Sequence, residues 1–228
     1  MQILGLIPAR VGSKGIVGKN LIPLAGKPLL AYTCIAAKQS TRLTRIIVST
    51  DDENIACVAV EAGIEVPFLR PSELAQDKTP MMEVIRHMLL QLDQQEGYKP
   101  DILVLLQPTS PLRKAEDIDG AVDLLVSSKA DTVVSVIEVP HNVLPSSLMQ
   151  LEGDRLIPMD SSAVLRRQEK RALFSRNGPA VLAVRVPFLL HSVSFYEGDT
   201  RAYSMPPERS VDIDTTFDVA FAEFLLQR

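Results

Sequence analysis

Leu4-Gly5-Leu6-Ile7-Pro8-Ala9-Arg10-Val11-Gly12-Ser13-Lys14-Gly15, running on to Gly18-Lys19-Asn20, governs how the rest of the chain is read. Ile3–Ile7 is a near-continuous apolar run of strand length, as in a strand buried on both faces. It stops at a proline and opens into a loop with glycine at 12, 15 and 18 and cations at 10, 14 and 19. Glycine lets backbone amides approach a ligand closely, and consecutive amides in such a loop form a concavity for anions. Three cations beside it point to an anion of several charges, such as a nucleoside triphosphate.

Working outward, strands and helices alternate. Pro28–Gln39 reads as a helix, Arg45–Ser49 as a buried strand, and Asp52–Ala62 as a helix closed by Gly63. Ile64–Leu69 is expected to be a third strand. Thr79 is expected to cap a helix that has Pro80 at its first position and ends near Gln95. Asp101–Leu106 is a strand, Ala115–Ser128 a helix and Thr132–Val136 a β-branched strand. This rhythm predicts an α/β, Rossmann-like, mostly parallel sheet with helices on both faces. The rhythm breaks between about 138 and 170, where prolines at 140, 145 and 158 interrupt the text and Glu152-Gly153-Asp154 marks a turn. A hairpin pairing Ser147–Leu151 with Arg155–Met159 is expected there. A strand at Ala180–Val186, a short helix near Pro187–His191, a strand near Ala202–Met205 and a helix over Thr216–Leu226 complete the pattern.

A chain of 228 residues suits one domain with an appended excursion, here 1–228 with the arm inside it. A net charge of −4 argues against a nucleic-acid partner, and no apolar run reaches membrane-spanning length. No signal peptide is evident, and two cysteines, Cys34 and Cys57, read as small buried hydrophobes in a reducing cytoplasm. His87, His141 and His191 are scattered and read as structural or surface residues.

In open α/β sheets ligands bind at the carboxyl ends of strands. Four polar loops fall there: Pro8–Asn20, Ser49-Thr50-Asp51-Asp52, Arg70-Pro71, and Gln107-Pro108-Thr109-Ser110-Pro111-Leu112-Arg113. The second is a helix-capping sequence before it is a ligand contact. The glycine loop contains no G-x-G-x-x-G. A Walker match ending at Gly18-Lys19 would need glycine at 13 and Ser or Thr at 20, where the chain has Ser13 and Asn20.

Taken in order, Ile7–Asn20, Pro23–Leu29, Ser49–Asp52, Arg70-Pro71-x-Glu73-Leu74-Ala75-x-Asp77-x-Thr79, Leu106–Arg113, Arg166-Arg167-Gln168, Asn177-Gly178 and Asp212-Ile213-Asp214 resemble the acylneuraminate (CMP-sialic acid synthetase-like) cytidylyltransferases. The likeness spans nearly the whole chain. It implies the nucleotide-diphospho-sugar transferase type of fold, with the 138–170 excursion as a dimerisation arm of a homodimer. It also implies a reaction in which the anomeric hydroxyl of an acidic 2-keto sugar attacks the α-phosphorus of CTP and pyrophosphate leaves. By resemblance, Ala9, Arg10, Gly12, Ser13, Asn20 and Arg70 bind the nucleotide. Gln107, Thr109, Arg167, Gln168 and Asn177 face the sugar, and Arg10, Lys19 and Asp214 serve the chemistry.

Asp212-Ile213-Asp214 also carries its own argument. Residues i and i+2 of an extended segment share a face, so both carboxylates can reach one cation. Magnesium takes one or two carboxylates together with waters and substrate phosphates. The alternative is a solvated strand end in which Asp214 caps the last helix. With a triphosphate loop in the same chain, Mg²⁺ held by Asp212 and Asp214 is the expected arrangement.

Some residues depart from the family pattern. Val11 replaces the loop's first glycine, Val17 a common proline, and Arg171 a usual proline. Pro179-Ala180-Val181 follows Asn177-Gly178 where the sialic-acid enzymes continue Ala-Ile-Tyr. Two rival readings stand beside this one: a nucleotidyltransferase for a sugar or polyol phosphate, and a nucleotide- or sugar-binding module without catalysis.

Overall fold

The computed structural model describes residues 1–13, 15–159 and 172–228. The first half runs β1 (Ile3–Pro8), the short pair β2 (Pro23–Leu24) and β3 (Lys27–Pro28), α1 (Leu29–Gln39), β4 (Arg45–Ser49), α2 (Glu53–Glu61), α3 (Met81–Glu96) and β5 (Ile102–Leu105). The second half runs α4 (Ala115–Ser128), β6 (Thr132–Glu138), β7 (Met149–Glu152), β8 (Arg155–Pro158), β9 (Phe174–Arg176), β10 (Leu182–Arg185), α5 (Val186–His191), β11 (Thr200–Ser204) and α6 (Thr216–Leu226).

β11, β6, β10, β5, β1 and β4 lie side by side in that order in one sheet. β1 is parallel to both β4 and β5, and β11 is parallel to β6, as the alternating text predicts. β10 is the exception, running antiparallel between β5 and β6. β9 pairs with Val136–Glu138 of β6, on the edge that β10 also uses, so residues 177–181 interrupt one long antiparallel run.

Strand side chains alternate between two cores. Ile7, Val48, Val104 and Ala183 face α1, α2 and α4, packing with Leu30, Ile55 and Ile118. Leu4, Leu6, Leu103 and Leu105 face α3 and α5, packing with Ile85, Met88 and Leu189. A smaller core of Leu24, Leu29, Val211, Ile213 and Ala222 seats α6 against the start of α1 and fixes the Asp212–Asp214 segment. No helix among the described residues is long and apolar enough to cross a membrane.

Three expectations need correction. Ile64–Leu69 makes only a single parallel bridge, Glu65 beside Ile47, before it bends. Pro67 has no N–H to give to a ladder, and the segment turns so that Arg70 N donates to Thr50 O at 2.7 Å. Pro80, not Thr79, occupies the cap of α3, with extended ψ of 138°. The Thr79 hydroxyl donates instead to Glu73 O, and no side chain caps α3. Cys34 is buried, and burial pushes its thiol up to about 12, whereas Cys57 is exposed on α2 beside Glu61. The hairpin forms as β7 and β8, all of whose residues are exposed.

Candidate active site

The carboxyl ends of β1 and β5 open onto a cleft of about 370 Å³. From the first loop come Arg10, Ser13, Gly15, Lys19 and Asn20, from the loop after β5 come Gln107 and Thr109, and Arg70, Asp212 and Asp214 join them. Lys14 and the pair Arg167 and Gln168 lie outside the described residues, as does Arg171.

The glycine loop holds its shape through contacts with distant segments. Gly18 has φ +64°, and Asn20 Nδ2 donates to the Arg10 carbonyl at 2.8 Å. A Cβ on Gly15 would stand 2.5 Å from the carbonyl oxygen of Asp214, so only glycine lets this loop lie against the C-terminal segment. Ala9, expected to bind the nucleotide, and its neighbour Val11 commit their amides elsewhere: Ala9 N donates to Ser49 O at 2.9 Å, and Val11 N to Asp51 Oδ1 at 3.1 Å. Gly12 is exposed and has open space where a Cβ would be.

The Ser49–Asp52 loop serves as a cap and a brace. Asp52 Oδ1 accepts from Ile55 N at the start of α2. Asp51 reaches back to the Val11 amide and lies 3.7 Å from Arg70 Nη2. Arg70 is only 5% exposed, and its Nε and Nη2 have no hydrogen-bond partner. Burial lowers the Arg70 pKa, Asp51 raises it and Arg10 lowers it further. A buried guanidinium with unused N–H groups at a cleft wall is a ready donor to polar ligand atoms. Arg10 is anchored by Ala75 O and by Asp77 Oδ1 at 2.7 Å.

The C-terminal segment removes the capping alternative for Asp214. Thr215, not Asp214, caps α6, in a reciprocal box with Asp218. Asp218 also accepts from Asp214 N, and its carboxyl lies below the ordinary range: burial pushes it up, but the Thr215 and Asp214 bonds outweigh that. The Asp214 side chain is thereby free of capping duty and takes Lys19 Nζ at 2.9 Å. Asp212 is half-buried; burial pushes its carboxyl above the usual range, Thr109 and Lys19 pull it down, and Asp214 pushes it up. Its Oδ1 is buried with no hydrogen-bond partner.

Asn177 is placed elsewhere. Its side chain accepts from Ser135 Oγ at 2.6 Å and donates to Ser210 Oγ at 3.0 Å, buried behind the cleft wall. Sequence reasoning gave no role to Asp77 or Arg113. Asp77 was visible only as the last acid of the Arg70–Asp77 string. Arg113 is buried, with its pKa lowered to about 10 by burial, and it donates to Ala180 O, Thr33 Oγ1 and Gln107 O. Nothing in its motif separated a buried clamp from a ligand contact.

The model of the cytidylyltransferase family matches residues 4–225. CMP-N,N'-diacetyllegionaminic acid synthase of Legionella pneumophila is 36% identical over 229 residues, covering 100% of this chain and 97% of that protein. N-acylneuraminate cytidylyltransferase of Escherichia coli O18:K1:H7 is 35% identical and covers 100% of this chain, which spans only 52% of that relative's length. Among solved structures, a CMP:2-keto-3-deoxy-manno-octonic acid synthetase complexed with CTP superposes with a TM-score of 0.74 over 100% of this chain and 99% of that one. At 15% identity that likeness speaks to the fold alone. The match from first strand to last helix, with a relative of equal extent, places this chain in the cytidylyltransferase family.

Proposed function

We propose that the cleft binds CTP and transfers its cytidylyl group to the anomeric hydroxyl of an acidic, sialic acid-like 2-keto sugar, giving a CMP-sugar and pyrophosphate. The observation that carries this is one cleft lined by three basic side chains, Arg10, Lys19 and Arg70, and by the paired carboxylates Asp212 and Asp214. The relatives named for legionaminic and acylneuraminic acid chemistry supply the sugar class.

In this reading the hydroxyl oxygen bonds to the α-phosphorus as the bond to the pyrophosphate oxygen breaks. Such transfers depend on positioning and charge stabilisation more than on a covalent nucleophile. Arg10, Ser13 and the loop around Gly15 hold the triphosphate, Arg70 meets the nucleoside, and Lys19 offsets charge on the leaving group. Gln107 and Thr109 orient the acceptor.

A divalent cation fits the acidic end of the cleft. A buried carboxylate oxygen without a proton donor, Asp212 Oδ1, is stabilised by a cation. No group of three or more His, Cys, Asp or Glu that could hold a metal ion occurs among the described residues, which suits Mg²⁺ better than an all-protein cage. Asp212 and Asp214 would hold it, and when bound it would supply positive charge to offset that of the triphosphate.

A homodimer completes the proposal. Met149, Leu151, Leu156 and Met159 are each more than half exposed on or beside the β7–β8 hairpin, an apolar surface that suits a second copy of the chain. A reducing cytoplasm suits the free thiols of Cys34 and Cys57.

Pyrophosphate release with each of four NTPs, tested against nonulosonic acids and against sugar phosphates, decides the matter. Turnover is expected with CTP and a keto acid. Preference for a sugar phosphate would replace the acceptor class, and CTP binding without turnover on any acceptor would favour a binding module.

A further inference from the structure

Three segments remote in sequence meet behind the acidic end of the cleft: Thr109-Ser110 after β5, Asn177-Gly178 between β9 and β10, and Asp212. Each is fixed independently. Ile213 N donates to Thr109 O at 2.8 Å, Asn177 is held by Ser135 and Ser210, and Arg113 ties the carbonyls of Gln107 and Ala180 together. Gly178 stands at the junction with φ +116°, a conformation that side-chain-bearing residues rarely adopt. A Cβ there would lie 3.1 Å from Ser110 Oγ and 3.5 Å from Asp212 Oδ1. The hydroxyl and the carboxylate oxygen therefore border the same notch. Both atoms are buried, and neither has a hydrogen-bond partner. Two such oxygens beside one small space are costly unless a polar group joins them, and a single buried water commonly does so.

We propose that Ser110 is a positioning residue for Asp212: its hydroxyl, joined to Oδ1 through one water in the notch that Gly178 leaves open, fixes the direction in which the carboxylate faces the cleft. The inference rests on the reading that Asp212 holds a divalent cation. Ser110 is fully buried and does not line the cleft, so its influence passes through Asp212 and not through contact with substrate. Outer partners of metal-binding carboxylates typically change metal affinity by about 10–100-fold when removed.

The test is Mn²⁺ binding, followed by electron paramagnetic resonance, to protein carrying a non-hydrolysable CTP analogue, with analogue affinity measured separately in EDTA. Ser110→Ala is expected to weaken Mn²⁺ binding about 10-fold or more, to leave analogue affinity in EDTA unchanged, and to recover turnover at high Mn²⁺. Gly178→Ala, which puts a methyl group into the notch, is expected to act in the same direction. Should that variant not fold, Ser110→Ala decides alone. Wild-type Mn²⁺ affinity in Ser110→Ala overturns the inference while leaving the metal reading intact. Wild-type protein that binds no Mn²⁺ overturns both.

Discussion

Lys19 and Asp214 are 195 residues apart in sequence and 2.9 Å apart in space, with the lysine also donating to Ile213 O at 2.7 Å. The ammonium is almost withdrawn from solvent, while its partner carboxylate is 73% exposed. A phosphate oxygen arriving in the cleft therefore meets a cation already aimed by the opposite end of the chain. Lys19→Met is expected to lower the single-turnover rate by about 10²-fold or more, with a smaller loss of CTP affinity. A wild-type single-turnover rate would remove Lys19 from the chemistry.

The close approach of Gly15 to the Asp214 backbone gives a second prediction. Adding a Cβ at 2.5 Å from a backbone oxygen forces the loop away from the C-terminal segment. Gly15→Ala should destabilise the fold by about 1–3 kcal/mol in urea denaturation and reduce turnover. Unaltered stability would mean that the loop shifts freely.

Asp212 predicts an opposition between stability and activity. Its folded pKa is raised, chiefly by burial, above the unfolded value. Between those two values the native state binds more protons than the unfolded chain, so metal-free protein loses stability as pH rises through that window. Asp212→Asn should thus raise the neutral-pH Tm of EDTA-treated protein while abolishing turnover. A lower Tm would show that the carboxylate is satisfied without a cation.

His87 behaves in the opposite sense. Burial first, and then the charge of Arg70, lower its pKa; its ring stacks edge-on against Phe68. Its contribution is present above the unfolded pKa and lost as pH falls through the lowered folded value. His87→Gln is expected to flatten the stability profile on the acid side of neutrality. A denaturation series from pH 7 to pH 5 with the wild-type slope retained would assign that slope to other groups.

The exposed hairpin makes a prediction about assembly. Leu151→Glu combined with Leu156→Glu places two charges on the apolar β7–β8 surface, and sedimentation equilibrium should show a dimer become a monomer. Wild-type protein that sediments as a monomer would dismiss the hairpin as an interface.

Much of this was legible because local signals and tertiary fate agree. Arg45–Ser49, Ala115–Ser128 and Thr216–Leu226 begin and end where periodicity places them. The order of the sheet was not legible. Nothing within Leu182–Arg185 distinguishes an antiparallel insertion from one more parallel strand, because a strand buried on both faces carries the same apolar text in either direction. In the site, polar loops at strand ends held Arg10, Lys19 and Arg70, the i, i+2 spacing of acids picked out Asp212 and Asp214, and all five line the cleft. The same reasoning could not foresee that the Val11 amide turns to Asp51, or that Asn177 spends its amide on Ser135 and Ser210. Those outcomes depend on partners at least 33 residues away.

The position of β10 has a consequence for how the molecule comes into being. β5 and β6 are not neighbours; each pairs with β10, which the chain supplies only after the exposed hairpin has been made. During synthesis, the basic loop can form on β1, β4 and β5 well before the sheet closes, and the acidic segment arrives later still. Contacts of such long sequence separation make closure slow. A nascent chain therefore carries the basic half of its cleft without the acidic half that completes it, and the full cleft appears in one late step.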